Sequence, residues 1–416
     1  MIQKIKGTYD VYKDLALKHN YVKKLFQEIC QNYNYNYIET PLIEKSELFH
    51  RSVGETTDIV NKETYDFVDR GGRNITIRPE GTAGVARSII ENKLYIDLPL
   101  KLYYIGSMYR YERPQKGRYR ELRQLGIESY GSNNPIMDAE NISLGYNFLK
   151  ELGLKDITVK INSIGGVETR NKYREVLIRH FEEHIDEFCD DCKDRLKKNP
   201  LRILDCKVDS ENELIKNAPS ILDYLSEEED SHFNKVLEYL DELEIKFEID
   251  SSLVRGLDYY TNTVFEYVST NNSFGSLGGG GRYNNLLESL GGPSVPAVGF
   301  AFGFDRIVDL LTEEEIPIPV TSDVDVYLLT VSENENSYAL NLSQNLRMCG
   351  YRVELDLTGK SMKAKFKESD KYNSKFTIII GEEEVKNNQF NIKDNLTKEE
   401  KKISVDDLID FLDTNI

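Results

Sequence analysis

The sequence predicts a mixed α/β chain, more strictly α+β: a sheet-based larger domain interrupted by a helical insertion, then a small α/β domain. Three observations carry this prediction. Strand-like, glycine-punctuated segments fill the first 163 residues and return at Glu248, while residues 167–247 between them are helical in pattern, highly charged and free of glycine. A Pro-bearing acidic segment, TEEEIPIPVTSD (312–323), has the composition of a domain linker. Beyond it, strand-like and helical runs alternate to the end of the chain, over the length of a common small domain. The expected boundaries are 1–320 for the larger domain, with its insertion at 167–247, and 323–416 for the smaller one.

Taken in order, residues 14–32 (DLALKHNYVKKLFQEICQN) space apolar residues by three and four and predict an amphipathic helix. YNYIETPLI (35–43) is strand-like, and Pro41 confines it to a sheet edge or an interface. NITIR (74–78) alternates as a strand and ends in a polar corner, Arg78-Pro79-Glu80-Gly81-Thr82. TAGVARSIIENKL (82–94) then reads as a helix capped by Thr82. Residues 103–130 (YYIGSMYRYERPQKGRYRELRQLGIESY) predict an antiparallel hairpin with a long loop, its turn placed by Pro114 and Gly117. A helix (DAENISLGYNFLKELGL) and a strand (ITVKINSIG) precede the insertion, whose acidic run SEEEDS (226–231) reads as solvated surface. After it, EIDSSLVRGLDYYTNTVFEYV is strand-rich with a polar break. SFGSLGGGGRYNNLLESLGG follows, and AVGFAFGFDRIVDLL is an apolar strand running into a helix near Phe304 to Arg306. In the small domain VDVYLLTV, YRVELD, KFTIIIG and QFNIKD alternate with helical NSYALNLSQNLRMCG, SMKAKFKESDKY and SVDDLIDFLDTNI.

With 39% hydrophobic residues the chain can build sizeable cores. A net charge of −18 excludes coating nucleic acid by bulk charge but leaves room for a local basic patch. The N-terminus, MIQKIKGTYDVYKD, lacks the apolar core of a signal peptide. No apolar run reaches the roughly 18–20 residues of a membrane helix, so a soluble, cytoplasmic protein is expected. Five scattered cysteines, an odd number, make no disulfide framework.

Several residues stand out chemically. The hairpin middle, RYERPQKGRYRELR (110–123), holds six Lys/Arg against Glu112 and Glu121. Arginine forks suit phosphate oxygens. Glu112, two residues after Arg110, would share its strand face. The pair fits a nucleotide, with phosphate on Arg110 and an amino-bearing base on Glu112; a salt-bridged exposed hairpin fits the same stretch equally well. Arg255, in LVRGLDYYT, is an unusual core residue that must be paired or face a ligand. Tyr259 and Tyr260 would point to opposite faces of a strand. Arg306 opens a helix, where anions are already favoured, although taken alone it reads more simply as a first-turn surface arginine. Glu80, Gln124 and Glu128 are acceptors on strand ends, suited to a cationic amine and a ring N–H; ordinary edge-strand polarity fits them too. The run Gly278 to Gly281 lies between a strand and a helix but fits neither a phosphate loop nor a dinucleotide fingerprint. His180, His184, Cys189 and Cys192 (HFEEHIDEFCDDC), with Cys206 downstream, have ligand-like spacing. The set lacks a second C-x-x-C, which favours a reduced, metal-free insertion.

Three stretches, in order, resemble the three motifs of class II aminoacyl-tRNA synthetases. YNYIETPLI with Pro41 resembles the first, a dimer-interface element; SMYRYERPQKGRYRELRQLGIE resembles the second; AVGFAFGFDRI with Arg306 resembles the third. LVRGLDYYTNTVFEY and SLGGGGRYNNLLESLGG resemble the two histidine-specific motifs of the histidyl-tRNA synthetase family. The likeness runs along nearly the whole chain. It implies an antiparallel-sheet catalytic domain with a helical insertion, and a C-terminal mixed α/β anticodon-binding domain. It also implies ATP-dependent ligation of L-histidine to tRNA(His) through a histidyl-adenylate, by a cytoplasmic homodimer. In that reading Glu80, Gly81, Thr82, Gln124 and Glu128 bind histidine, and Tyr259 and Tyr260 line the imidazole pocket. Arg110 holds the ATP α-phosphate, Glu112 the adenine end and Arg306 the γ-phosphate, while Arg255 is the catalytic cation. Mg²⁺ accompanies ATP, and no tightly bound cofactor or metal is expected. Gln115, Lys116, Arg118 and Arg120 would meet the tRNA acceptor end, and the lysine-rich KSMKAKFKESDK (360–371) the anticodon side. A catalytically dead relative, such as a regulatory subunit of ATP phosphoribosyltransferase, should lack LVRGLDYY and the small domain; both are present.

Overall fold

The computed structural model describes residues 1–54, 57, 59–269, 275–320, 323–356 and 359–416. Ser273 and Phe274, which open the glycine-bearing stretch, and Thr321 and Ser322 of the linker lie outside the described residues. The chain forms two compact units, residues 1–11 with 18–318, and residues 12–17 with 319–416. No helix among the described residues is long and apolar enough to cross a membrane.

The strands of the larger unit are β1 (Asn36–Tyr37), β2 (Ile43–Lys45), β3 (Tyr65–Val68), β4 (Asn74–Ile77), β5 (Leu100–Tyr109), β6 (Glu121–Tyr130), β7 (Ile157–Ser163), β8 (Phe247–Ile249), β9 (Thr261–Ser269), β10 (Ser276–Arg282) and β11 (Ala297–Gly303). Eight form one sheet in the order β1-β5-β6-β11-β10-β9-β7-β8, and β2, β4 and β3 form a small second sheet. The large sheet is antiparallel except at its two outer pairs, β1–β5 and β7–β8. The expected hairpin is present: β5 and β6 pair from Leu100↔Tyr130 to Tyr109↔Glu121.

Alternation along the strands gives this sheet two unlike faces. One carries Tyr103, Leu125, Ile127, Phe300 and Phe302, and is covered by the helices Lys13–Asn32 and Pro135–Glu151. Phe26 and Phe148 of those helices lie 5.1 Å apart, and Phe148 lies 5.5 Å from Phe302. The other face carries Gln124, Gly126 and Glu128, and is left for the site.

The expected single strand at 35–43 is two short ones in different sheets. Pro41 lies between them, because it cannot donate to a ladder and restricts the residue before it. From the helix Val167–Phe181 to the helix Glu227–Glu242 the chain is a run of helical segments. Tyr173, Leu177, Phe181, Cys192 and Cys206 are buried in one cluster with Leu253, Tyr260 and Tyr283. The acidic run is more than a solvated face. Ser226 and Glu229 form a reciprocal cap on the helix Glu227–Glu242. Glu229 also accepts from Gly166 N at 2.6 Å and Thr169 Oγ1 at 2.6 Å, tying the two ends of the run together.

The smaller unit holds β12 (Val326–Thr330), β13 (Val353–Leu355), β14 (Phe376–Ile380), β15 (Gln389–Asp394) and β16 (Glu400–Ser404), in the order β13-β12-β14-β15-β16. The first three are parallel and the last two add antiparallel. Val326, Leu328, Leu346, Ile378, Ile380, Phe390 and Leu412 form its core. The sequence does not announce β16 (EKKIS), an edge strand whose charges keep other chains from pairing with it. The lysine-rich stretch is also less open than expected. Lys365 is buried, donating to Thr330 O and pairing with Asp356, each at 2.8 Å, and Glu368 holds Lys371 at 3.0 Å.

Candidate active site

The open face of the large sheet has a floor of small residues. Directly opposed residues share a face, so Tyr104, Gly126, Ala301, Gly279 and Glu266 form one row, and Gly106, Gln124 and Gly303 the next. The glycine run lies within β10 itself, and not in the expected connection between strand and helix. A Cβ at Gly279 would lie 2.5 Å from Phe265 O and 2.9 Å from Arg255 Nη1, so glycine makes room for the arginine. Gly81 and Gly126 flank the Tyr104 ring, and a Cβ on either would collide with its Cζ.

Beside this floor two acids are buried together. Glu80 Oε2 accepts from Thr82 N at 2.8 Å and Oε1 from Ala83 N at 2.7 Å, at the start of the helix Thr82–Glu91. The helix is therefore capped by Glu80, not by Thr82 as expected, because the longer side chain reaches the free amides and the helix dipole favours its charge. Thr82 is the first helical residue, and its hydroxyl donates to Glu128 Oε1 at 2.7 Å. The Tyr283 hydroxyl donates to the other oxygen of Glu128. Burial pushes the Glu128 carboxyl up to about 8, against the pull of the Tyr283 and Thr82 hydroxyls. Burial likewise raises Glu80, against the Ala83 and Thr82 amides. No salt bridge satisfies either acid among the described residues. Gln124 Oε1 is buried without a hydrogen-bond partner, as is Arg255 Nε.

Tyr259 and Tyr260 stand next to Tyr283, the partner of Glu128. They sit in a turn before β9, so they do not alternate across a strand as expected. Their rings pack 4.7 Å apart, with Tyr283 at 5.5 Å from Tyr259 and 6.3 Å from Tyr260. Arg255 pairs with Glu266 of β9 and lies 5.8 Å over the Tyr260 ring.

The remaining arginines gather around the hairpin loop. β5 ends at Tyr109, so Arg110 and Glu112 are on the loop and not on a strand face. They still meet: Arg110 Nη1 is 3.8 Å from Glu112 Oε1, and Arg118 Nη1 is 3.7 Å from Glu112 Oε2. Arg110 Nε donates to Pro79 O at 2.9 Å, beside Glu80. Arg306, in the first turn of the helix Phe304–Glu313, donates to Gly117 O at 3.0 Å and Ser276 O at 2.6 Å. Burial lowers its pKa, and Arg118 lowers it further, while Glu112 opposes them. Three guanidinium groups thus crowd one carboxylate, a field that suits a polyanion. On the loop, Gln115 and Arg118 bridge through their backbones, and Arg120 lies 4.0 Å over the Tyr111 ring.

Some positioning residues are invisible in sequence. Asp305 accepts from Arg123 N at 2.8 Å and from Arg123 Nη1 at 3.0 Å, holding Arg306's helix against β6. Arg282, fully buried, forks onto Asp138, Nε donating to Oδ1 at 2.8 Å and Nη2 to Oδ2 at 2.5 Å, and fixes the end of β10. Tyr283 and Glu266 were equally unmarked, although a glutamate inside TVFEYV is a signal by its polarity alone. The structure gathers the three cysteines that sequence spacing singled out, Cys189, Cys192 and Cys206, and adds Asp209, a residue the sequence did not mark. His180 and His184 stay outside that group, bonded to Leu214 O at 2.8 Å and Glu187 at 3.0 Å.

An antiparallel sheet that brings the arginines of the second and third motifs beside a cluster of buried acids defines the catalytic domain of a class II aminoacyl-tRNA synthetase. Comparison with known proteins narrows the class. Residues 7–307 match the family described as histidyl-tRNA synthetase, and residues 325–415 the anticodon binding domain. A histidine–tRNA ligase of Bacillus licheniformis is 48% identical over 415 residues, 99% of this chain and 98% of that one. The apo histidyl-tRNA synthetase of S. aureus superposes with a TM-score of 0.85 at 38% identity, covering 99% of this chain and 100% of the other. An ATP phosphoribosyltransferase regulatory subunit/histidyl-tRNA synthetase from Bacillus halodurans shares the fold alone, at 24% identity and a TM-score of 0.67 over 92% of this chain and 98% of that one. The chain belongs to the histidyl-tRNA synthetase family.

Proposed function

We infer that this chain is a histidine–tRNA ligase, joining L-histidine to tRNA(His) at the expense of ATP. One observation carries the reading at the level of residues. Two buried acids without a cation of their own, Glu80 and Glu128, lie beside a cluster of arginines on one open sheet face. The acids suit the ammonium of an amino acid, and the arginines suit a triphosphate.

In the first step the histidine carboxylate attacks the α-phosphorus of MgATP, giving histidyl-adenylate and diphosphate. Glu80, Thr82 and Glu128 hold the amine against the floor at Gly81, while Gln124, Tyr259 and Tyr260 enclose the imidazole. Arg110 and Arg255 face the α-phosphate, where negative charge builds; fixed cations there stabilise the transition state, and positioning supplies much of the rest. Glu266 aims Arg255. Glu112 accepts from the adenine end and Arg306 holds the γ-phosphate. In the second step the terminal ribose hydroxyl of the tRNA, the 3′ one in this class, takes the histidyl group and AMP leaves. Selectivity follows from the polar lining, since a site built to bond a polar side chain rejects analogues lacking it by on the order of 10⁴ or more.

The loop bearing Gln115, Lys116, Arg118 and Arg120 is the proposed seat of the acceptor end. The small domain, taken as 323–416, is the anticodon side, through its solvent-facing lysines and not Lys365. The catalytic domain is taken as 1–320 with its insertion at 167–247. Tyr37, Leu42, Ile43, Phe67 and Val68 are exposed around the first motif, an apolar surface that supports a homodimer. A cytoplasmic location completes the proposal.

The test is ATP–diphosphate exchange with each of the twenty amino acids offered singly. Exchange with histidine only is the expected result. A folded protein that exchanges with none would be a regulatory relative, and every catalytic role above would fall.

A further inference from the structure

We propose that Cys189, Cys192, Cys206 and Asp209 form a structural zinc site within the helical insertion. The four donor atoms lie within 4.8 Å of one another. Their spacing has the dimensions of a tetrahedral site. With Zn–S near 2.3 Å, two sulfurs on a tetrahedron stand about 3.8 Å apart, and with Zn–O near 2.1 Å a sulfur and an oxygen stand about 3.6 Å apart. Cys189 Sγ and Cys206 Sγ are 3.7 Å apart, and Cys206 Sγ and Asp209 Oδ2 are 3.5 Å apart. A disulfide needs about 2.05 Å between sulfurs, so this separation belongs to unbonded donors.

The backbone shapes the same site. Cys189 is the N-cap of the helix Asp190–Lys198, and Cys192 lies in its first turn, the usual seat of a C-x-x-C pair. Positive helix ends favour thiolates. Asp209 Oδ2 also accepts from Cys189 N at 3.1 Å, so the carboxylate is already turned toward the sulfurs. The missing second C-x-x-C, which spoke for a metal-free insertion, is replaced by one cysteine and one aspartate three residues on. Three soft thiolates with one oxygen favour zinc over harder divalent ions, and four protein donors leave no open position for substrate.

The site closes the chain between Cys192 and Cys206. That loop carries Asn199, whose side chain donates to Asp258 at 3.2 Å, three residues from Arg255. Asn199, Arg202, Arg255 and Tyr260 line one cavity. Zinc would therefore fix the wall of the insertion next to the catalytic arginine.

The full chain is purified without a metal-affinity step and analysed for metals. One zinc per chain is expected, with its loss in Cys206→Ser and retention in His184→Ala. Because Cys206 is buried and its replacement alters packing as well as ligation, the wild-type protein is also stripped with a chelator under reducing conditions and refilled with Co²⁺. Thiolate-to-cobalt charge-transfer and tetrahedral visible bands at one equivalent are expected. The stripped protein should be cut roughly tenfold faster or more in residues 189–209, because a ligand held only by the native state has been withdrawn. Any of three results overturns the site: metal-free protein without cobalt bands, zinc undiminished in folded Cys206→Ser, or a Cys189–Cys206 disulfide in the protein isolated under reducing conditions.

Discussion

Glu128 carries a carboxyl held near 8 by burial, under the hydroxyls of Thr82 and Tyr283. An arriving ammonium favours its ionised form, so histidine binding below about pH 8 should release a proton. Calorimetry in buffers of different ionisation enthalpy would show it, and Glu128→Gln should abolish it. The sign for stability runs the other way. The folded-state pKa lies above the ordinary glutamate value, so the contribution to stability is full at low pH and lost as pH rises through about 8. The melting temperature of the unliganded Gln variant should therefore fall less between pH 5 and 8 than the wild type's. Its KM for histidine should rise roughly 10- to 100-fold, the loss of one charged hydrogen bond. Arg255→Ala should cut exchange by on the order of 10² to 10³-fold while circular dichroism stays unchanged, as for other groups acting on transition-state charge. Near-normal exchange would remove Arg255 from the chemistry. These side chains were legible in sequence because charged or amide residues stood where apolar ones belonged. Their partners were not: Tyr283 meets Glu128 across 155 positions and Asp305 meets Arg123 across 182, and Glu266 reaches Arg255 because the chain turns back onto β9.

At the scale of elements, the hairpin was readable because its two strands are long and its turn residues are strong signals. Where it stops was not. Arg110 and Glu112 look like strand positions, yet the loop is held by backbone bonds to other segments, Tyr111 N to Glu63 O at 2.7 Å and Arg120 N to Gly7 O at 2.8 Å. The split of the first motif at Pro41 was half visible, since proline announces a break but not the second sheet. The loop arginines lead to a prediction about salt. Binding of tRNA should weaken linearly in log salt concentration, and Arg120→Ala should flatten that slope by about one phosphate contact. Filter binding between low and moderate salt measures both slopes; identical slopes would take Arg120 off the RNA.

At the scale of the molecule, each unit has a core of its own, and the smaller one matches the anticodon binding domain. Removing residues 323–416 should leave histidine-dependent exchange within a few-fold of normal. It should lower tRNA charging by on the order of 10²-fold or more, since each lost 1.4 kcal/mol of contact is a factor of ten. Equal loss of both activities would make that unit a structural support. The alternation of strands and helices made its class plain in sequence. The small helix Glu382–Asn387 and β16 escaped because they are short and charged, and their packing follows from neighbours that no local pattern records.

The bare strand β10 has a consequence that is written in nucleotides. A side chain at any of Gly278 to Gly281 would first strike a backbone carbonyl oxygen of β9 or β11. Backbone cannot step aside without opening the sheet. Glycine is encoded only by triplets beginning GG, so every change in the first two bases of these four codons puts an atom where none fits. The gene must therefore keep a G-rich island here, in a protein whose abundant lysine, asparagine, isoleucine and tyrosine all have codons that begin with two A or T bases.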